Sequence, residues 1–382
     1  MKMIRLIELF AGYGSQALAL KRLGVPFVNY RAIDFDIYAM RSYNAIHGTN
    51  FDSKDINDIS ADDLGLEPND NFSYLMTYSF PCTDLSKAGS CLGMKKGEGT
   101  RSGLLWQVER LLTEARDSDN LVLPDFLLME NAIQVHGEQN IADFGEWITF
   151  LDSLGYVSKW QDLDAKSYGV PQTRLRCFLV SYLDKSIKFA FPSPVELKKS
   201  VQDYLEPNVS EDFYISKDRA QIVADELIES EDADGHLIIK ANNGEGSYSL
   251  DLSGVCDLSF PYSKTRRARV QNNGNICPTI STCYRLDKID KVSADDKQKL
   301  GVIEKAGNYY RIRKLTPLEC LKLMDLTEDE AKNILAVNTD SQAYKQAGNS
   351  IVVSVMSAIF NNLLLGGSQK EKAQIDIFDI LD

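Results

Sequence analysis

Ile4-Arg5-Leu6-Ile7-Glu8-Leu9-Phe10-Ala11-Gly12-Tyr13-Gly14-Ser15 is the stretch on which the fold turns. Ile4 to Phe10 is apolar almost throughout, as a strand buried on both faces requires. Two glycines then break the run, and Gln16 to Leu23 carries apolar residues at helical spacing. Strand, glycine turn and helix together open a doubly wound α/β sheet. Such a turn lets a nucleotide-like ligand approach the backbone at a helix N-terminus. The three-glycine phosphate pattern is incomplete, because Ser15 follows Gly14 and Ala17 stands further on, so a plain tight turn is the other reading.

Working outward, strand-like runs recur at Phe27 to Ile33, Tyr74 to Phe80, Asp125 to Met129, Tyr156 to Leu163 and Cys177 to Leu183. Helical patterns fall between them, at Leu104 to Ala115 and Glu138 to Leu154. The alternation predicts a mainly parallel sheet with helices on both faces. From Pro192-Ser193-Pro194 to about Lys305 the chain turns polar and irregular, with short β-like pieces. Thr316-Pro317, with Glu319 completing a capping box, restarts a helix, and Ser350 to Leu364 reads as an apolar one.

The 382 residues, 44% hydrophobic and 25% charged, suffice for two domains. No run of about 18 uninterrupted apolar residues occurs, which argues against a membrane span. Met1-Lys2-Met3 leads straight into a strand, so no signal peptide and a cytoplasmic setting are expected. Seven scattered cysteines fit a reducing compartment better than a disulfide framework. His47, His136 and His236 lie far apart in sequence and no Cys-x-x-Cys occurs, so no metal is expected. A net charge of −13 argues at first against nucleic acid.

Four features carry possible chemistry. Asp34 closes the second strand about 20 residues past the glycines, where a carboxylate accepts ribose hydroxyls, and Phe35 beside it can stack on an adenine. Cys82, in Ser79-Phe80-Pro81-Cys82, follows a strand and opens a glycine-rich loop holding Lys87, Lys95, Lys96 and Arg101. Cations favour a nucleophilic thiolate, although a lone cysteine is commonly a small buried hydrophobe. Glu130-Asn131 ends the next strand, either as an acid beside Cys82 or as a structural carboxylate. Arg174 and Arg176 alternate to one face, toward solvent or toward phosphate and carboxylate partners.

Taken in order, these segments resemble the DNA (cytosine-5) methyltransferase family along nearly the whole chain. Glu8-Leu9-Phe10-Ala11-Gly12-Tyr13-Gly14 resembles its cofactor loop, Phe80-Pro81-Cys82 its nucleophile motif and Glu130-Asn131-Ala132 its Glu-Asn-Val motif. Gln172-Thr173-Arg174-Leu175-Arg176 resembles the Gln-x-Arg-x-Arg motif. Arg313-Lys314-Leu315-Thr316-Pro317 with Glu319 resembles the motif after the variable region, and Gln346-Ala347-Gly348-Asn349-Ser350 the closing Gly-Asn-Ser motif. The family usually has Asp at Glu8, Gly at Ser15, Val at Ala132 and often Gln at Thr83.

The resemblance implies a Rossmann-like S-adenosylmethionine-dependent methyltransferase sheet in residues 1–188 and 312–365. A smaller, irregular β-rich target-recognition domain is implied at 189–311, with a tail at 366–382. It implies methylation of cytosine C5 in duplex DNA, with S-adenosylmethionine as cofactor, S-adenosylhomocysteine as product and no metal. Cys82, Glu130, Arg174 and Arg176 would be catalytic. Phe10, Gly12, Gly14, Asp34, Phe35, Asp55, Ile56, Pro81, Asn349 and Ser350 would bind the cofactor. Ser86, Arg101, Lys264, Arg266, Arg267 and Arg269 would meet DNA, and Cys82 to Arg101 would form a lid. A monomer is expected; the biological partner would be a cognate restriction endonuclease, or none if the enzyme is solitary or phage-borne. The rivals are a tRNA cytosine-5 methyltransferase of the same fold, which tends to lack a large recognition domain, and a nicotinamide-dependent oxidoreductase, which leaves Cys82, Glu130 and the arginines unexplained. The charge is also uneven: Asp203 to Asp234 holds eleven acidic and two basic residues, whereas Lys264 to Lys322 holds fourteen basic and six acidic. Cations thus gather where the resemblance puts DNA, and the local field governs steering.

Overall fold

A computed structural model describes residues 2–82, 85, 93–97, 99–241, 246–258, 270–282 and 300–367. Ser86, Lys87, Lys264, Arg266, Arg267 and Arg269 lie outside the described residues, as does most of the C-terminal tail. Two compact units result, one of residues 1–164, 175–194 and 353–382, the other of 165–174 and 195–352.

The first unit is built on β1 (Met3–Leu9), α1 (Ser15–Arg22), β2 (Phe27–Ile33), α2 (Ile37–His47), α3 (Ala61–Leu64), β3 (Phe72–Tyr78), α4 (Leu105–Asp117), β4 (Phe126–Ala132), α5 (Ile141–Ser153), β5 (Val157–Asp164) and β6 (Leu175–Tyr182). The six strands form one sheet in the order β2-β1-β3-β4-β6-β5. β1 runs parallel to β2 and β3, β3 parallel to β4, and β6 antiparallel to both β4 and β5. In β1 the consecutive residues Leu6, Ile7, Glu8 and Leu9 are all fully buried, so both faces of the sheet are covered. On one face Ile7, Leu9, Met76, Tyr78, Leu127 and Met129 pack with Val108 and Leu111 of α4 and Phe144, Trp147 and Leu151 of α5. α1 lies against the closing helix, Val353–Leu364.

Asp340–Leu364 is apolar and long enough to cross a membrane by composition alone. Its helical course breaks at Ser350–Val352, and Val353, Val355, Met356, Ile359, Phe360 and Leu363 are buried in protein, as in a core helix.

The second unit holds two three-stranded antiparallel sheets. α6 (Lys217–Leu227) precedes the first, which is β7 (Ile228–Glu231), β8 (Leu237–Lys240) and β9 (Ser247–Leu250). The second is β10 (Val255–Asp257), β11 (Leu300–Ala306) and β12 (Tyr309–Arg313). α7 (Pro317–Lys322), α8 (Glu328–Val337) and α9 (Asp340–Asn349) follow. Thr316 caps α7 in the expected capping box with Glu319. Glu319 is fully buried and pairs with Arg313, whose Nη1 lies 2.9 Å from its Oε2. Arg313 also bonds Glu304 across the β11–β12 hairpin at 2.9 Å. A buried guanidinium held by two carboxylates locks this hairpin to the helix that follows.

Candidate active site

In a parallel sheet the carboxyl ends of the strands share one edge, and ligands bind where the chain reverses its direction of build. Here β1 is flanked by β2 and β3, so the reversal lies at the carboxyl end of β1. Phe10 to Gly14 leaves β1 at that point. Phe10 has φ +58°, a left-handed conformation that costs a non-glycine residue roughly 1–3 kcal/mol. Gly12 has φ +57° and donates its N–H to Asp34 Oδ2 at 2.9 Å. A Cβ on Gly12 would meet no protein atom within 4 Å, leaving open space over the loop. Gly14 is glycine for a different reason: a Cβ there would lie 2.3 Å from His47 Nε2 and 2.7 Å from Tyr43 Cε2. His47 in turn lies 3.0 Å from the Tyr13 carbonyl, so α2 braces the loop from behind.

Asp34 follows β2, and its Oδ1 accepts the Asp36 N–H at 2.9 Å. Its backbone carbonyl accepts from the Lys54 N–H at 2.9 Å, which brings Asp55 and Ile56 to the same edge. Asp55 caps the next short turn through Asn57, while Ile56 is buried. Phe35 is 66% exposed, a large apolar ring held in solvent beside the glycine loop. Beneath the loop, Glu8 is fully buried and accepts a 2.5 Å hydrogen bond from Tyr43. Burial pushes its carboxyl up to about 8, against the opposing pull of Tyr43 and the Gln16 and Ala17 N–H groups.

The turn bearing Cys82 follows β3. Phe80 is buried, while Pro81 and Cys82 are half-buried. Asn131 donates to the Phe80 carbonyl at 2.9 Å, which fastens this turn to the end of β4. Ser102, next to Arg101, donates to the Pro81 carbonyl at 2.7 Å. Met94, within the stretch expected to be a lid, is fully buried, and its carbonyl accepts from Trp106 of α4 at 2.7 Å.

Glu130 and Asn131 lie at the end of β4, which runs one residue further, to Ala132. Ala132 faces Arg176 across the β4–β6 ladder, so the start of antiparallel β6 shares the active edge. Arg176 Nε lies 3.4 Å from Glu130 Oε1, and Glu130 is only 6% exposed. Arg174, expected on one face with Arg176, has partners of its own. Arg174 lies in the second unit, where its guanidinium donates to the carbonyls of Ile280, Gly348 and Ser350 at 3.1, 2.7 and 2.6 Å. A buried arginine whose two Nη groups hold three carbonyls organises the Gly348-Asn349-Ser350 turn. Ser350 also donates to the Gln346 carbonyl at 2.6 Å. A Cβ on Gly348 would lie 2.4 Å from Thr282 N and 2.5 Å from Ser281 C. Gly348→Ala should therefore destabilise the protein by roughly 1–3 kcal/mol, read as a lowered denaturant midpoint.

His136, Asp162 and Cys177 bring ligand atoms within 4.8 Å of one another, though sequence placed the histidines far apart. They offer three donors where a structural zinc site takes four. Burial pushes the Cys177 thiol well up, so it stands as a neutral group beside the His136–Asp162 pair at 3.0 Å. Sequence reasoning passed over Tyr43, His47 and Ser102. The signal for the first two is their one-turn spacing on α2; nothing local marks Ser102.

The chain matches the family described as C-5 cytosine-specific DNA methylase over residues 4–364. It is 31% identical to the type II methyltransferase M2.ScrFI of Lactococcus lactis subsp. cremoris, over 94% of this chain and 99% of that one. It is 28% identical to the type II methyltransferase M.DsaV of Dactylococcopsis salina, over 100% of this chain and 92% of that one. In structure it is similar to the S. pombe Dnmt2 methyltransferase, with a TM-score of 0.61 at 18% identity, covering 95% of this chain and 98% of that one. The likeness to that structure shows the shared mixed α/β fold, and the family match over residues 4–364 shows that this chain is a member of the C-5 cytosine-specific DNA methylase family.

Proposed function

We propose that the chain transfers the methyl group of S-adenosylmethionine to C5 of a flipped-out cytosine in duplex DNA, through a covalent bond between Cys82 and C6. One observation carries this reading: the turn bearing Cys82 and the Glu130–Arg176 pair stand at one edge of one sheet, tied by Asn131. The residues of the glycine loop fit the cofactor. The open space over Gly12 admits it, exposed Phe35 offers a face for adenine, and Asp34 and Asp55 supply carboxylates for ribose hydroxyls and the adenine amine. Phe10, Gly14, Ile56 and Pro81 shape the surrounding walls. Bound there, S-adenosylmethionine supplies an electrophilic methyl group.

C5 of cytosine is a poor nucleophile by itself. Addition of the Cys82 thiolate to C6 forms the S–C6 bond and pushes an electron pair toward C5. Glu130 bonds the N3 and amino side of the base and stabilises the charge that develops there. Arg176 orients Glu130 and reaches the O2 side. The electron pair at C5 takes the methyl group as its bond to sulfur breaks and S-adenosylhomocysteine leaves; a base then removes the C5 proton, the pair returns to the C5–C6 bond and Cys82 leaves as thiolate. Taking the base out of the stack costs a few kcal/mol, which contacts such as Arg101 to the backbone help to offset.

Duplex DNA is favoured over tRNA by the large second unit and by the family's description. The bacterial relatives fit a cytoplasmic enzyme, and their type II naming fits a cognate restriction endonuclease. Tritium from labelled S-adenosylmethionine should appear in duplex DNA and not in tRNA, and bisulfite sequencing should place it at cytosine C5. Labelled tRNA with unlabelled DNA would reverse the substrate assignment.

A further inference from the structure

Phe80 and Pro81 lie past the last paired residue of β3, so their carbonyls have no strand partner there. Buried carbonyls must be satisfied, and Pro81 has no N–H to contribute to a turn. Two side chains from different elements supply the bonds. Asn131 holds the Phe80 carbonyl, and Ser102 holds the Pro81 carbonyl in the peptide that leads directly into Cys82. Ser102 is fully buried and lies 21 residues beyond Pro81 in the chain. Its own position is fixed by the turn entering α4. Thr100 bonds the Gly93 carbonyl at 3.1 Å, Trp106 bonds the Met94 carbonyl at 2.7 Å, and Lys96 pairs with Glu109 at 2.6 Å.

We infer that Ser102 is a positioning residue for the nucleophile: by fixing the Pro81–Cys82 peptide plane it holds Sγ in line with C6 of the target base. This rests on Cys82 being the nucleophile. The hydroxyl joins the two ends of the 82–101 stretch, so the part docked on α4 serves as a fixed frame for Cys82. A nucleophile misplaced by about 1 Å can lose on the order of 100-fold in rate.

The test is single-turnover methyl transfer by Ser102→Ala and Ser102→Thr, with cofactor affinity, DNA affinity and thermal midpoint measured alongside. Ser102→Ala should lower the transfer rate about 10- to 100-fold while both affinities stay within about twofold. Ser102→Thr, which keeps the hydroxyl, should recover most of the rate. A wild-type rate in Ser102→Ala would overturn the inference. So would a folded Ser102→Thr as slow as the alanine variant, or affinities that fall in step with the rate. Cys82→Ala, run in parallel, separates the two ideas: methyl transfer surviving in that variant would sink the nucleophile assignment itself, whatever Ser102 does.

Discussion

Replacing Cys82 with alanine should abolish methyl transfer and leave the fold and cofactor binding intact. Cys82 is half-buried, so removing its sulfur opens no large closed cavity. Folding stability should therefore change little, while the rate falls by on the order of 10⁴-fold or more, as when another enzyme's nucleophile is deleted. The asymmetry follows from the chemistry. Glu130 and Arg176 can still bind a cytosine, but without addition at C6 its C5 has no electron density to offer. Serine should not rescue, because a hydroxyl is far less acidic than a thiol and needs an adjacent base to act. Duplex DNA carrying 5-fluorocytosine at the target gives a second readout. Fluorine at C5 leaves no proton to remove, so the S–C6 bond persists and the protein stays attached through denaturing electrophoresis. The wild type should form this species and Cys82→Ala should not. Attachment through the alanine variant would place the nucleophile elsewhere.

The edge that gathers this chemistry was largely legible in the sequence, for a physical reason. A strand covered on both faces must be apolar almost throughout, so β1 declares itself, and the abrupt change to Phe10–Gly14 marks its carboxyl end. The same contrast exposes Asp34 after β2 and Cys82 after β3. Glu130 was displaced by only a step, since an acid reads as the end of a strand even where β4 continues to Ala132. α2 escaped notice because its exposed start, Ile37 and Tyr38, is apolar and blurs the helical stripe. α6 escaped because its buried face is mainly the small residues Ala220, Val223 and Ala224, lost among charges. Arg174 was misjudged on alternation: it precedes β6, so the two-residue period does not reach it. Its carbonyl partners Ile280, Gly348 and Ser350 lie more than a hundred residues away, as chain distance hides them. Ser102 shows the same limit, since a serine near a glycine is unremarkable until folding brings it against Pro81.

Glu8 supplies the second large effect, and it concerns stability. The family pattern has an aspartate here; the longer Glu8 reaches Tyr43 at 2.5 Å under the glycine loop, in a site with no exposure. Burial raises its carboxyl from the ordinary 4.5 to about 8, so the folded protein holds it protonated at neutral pH. The unfolded chain has an ordinary carboxyl, which ionises near 4.5. A group whose folded value lies above its unfolded value stabilises fully below the unfolded value, and that contribution is lost as pH rises. Between pH 4.5 and about 8 the loss from Glu8 reaches roughly 5 kcal/mol, at about 1.4 kcal/mol per pH unit. Glu8→Gln keeps the shape, lets the amide oxygen accept the Tyr43 bond and removes the titration. Guanidinium unfolding from pH 5 to 9 should show the two proteins close together at pH 5, and the glutamine variant more stable by several kcal/mol at pH 8 and above. Every other titrating group is common to both proteins and cancels from the difference, which isolates Glu8. Parallel profiles across that range would mean that the carboxyl ionises alike in the folded and unfolded chains, and that the glycine loop rests on a charged group and not on a neutral acid.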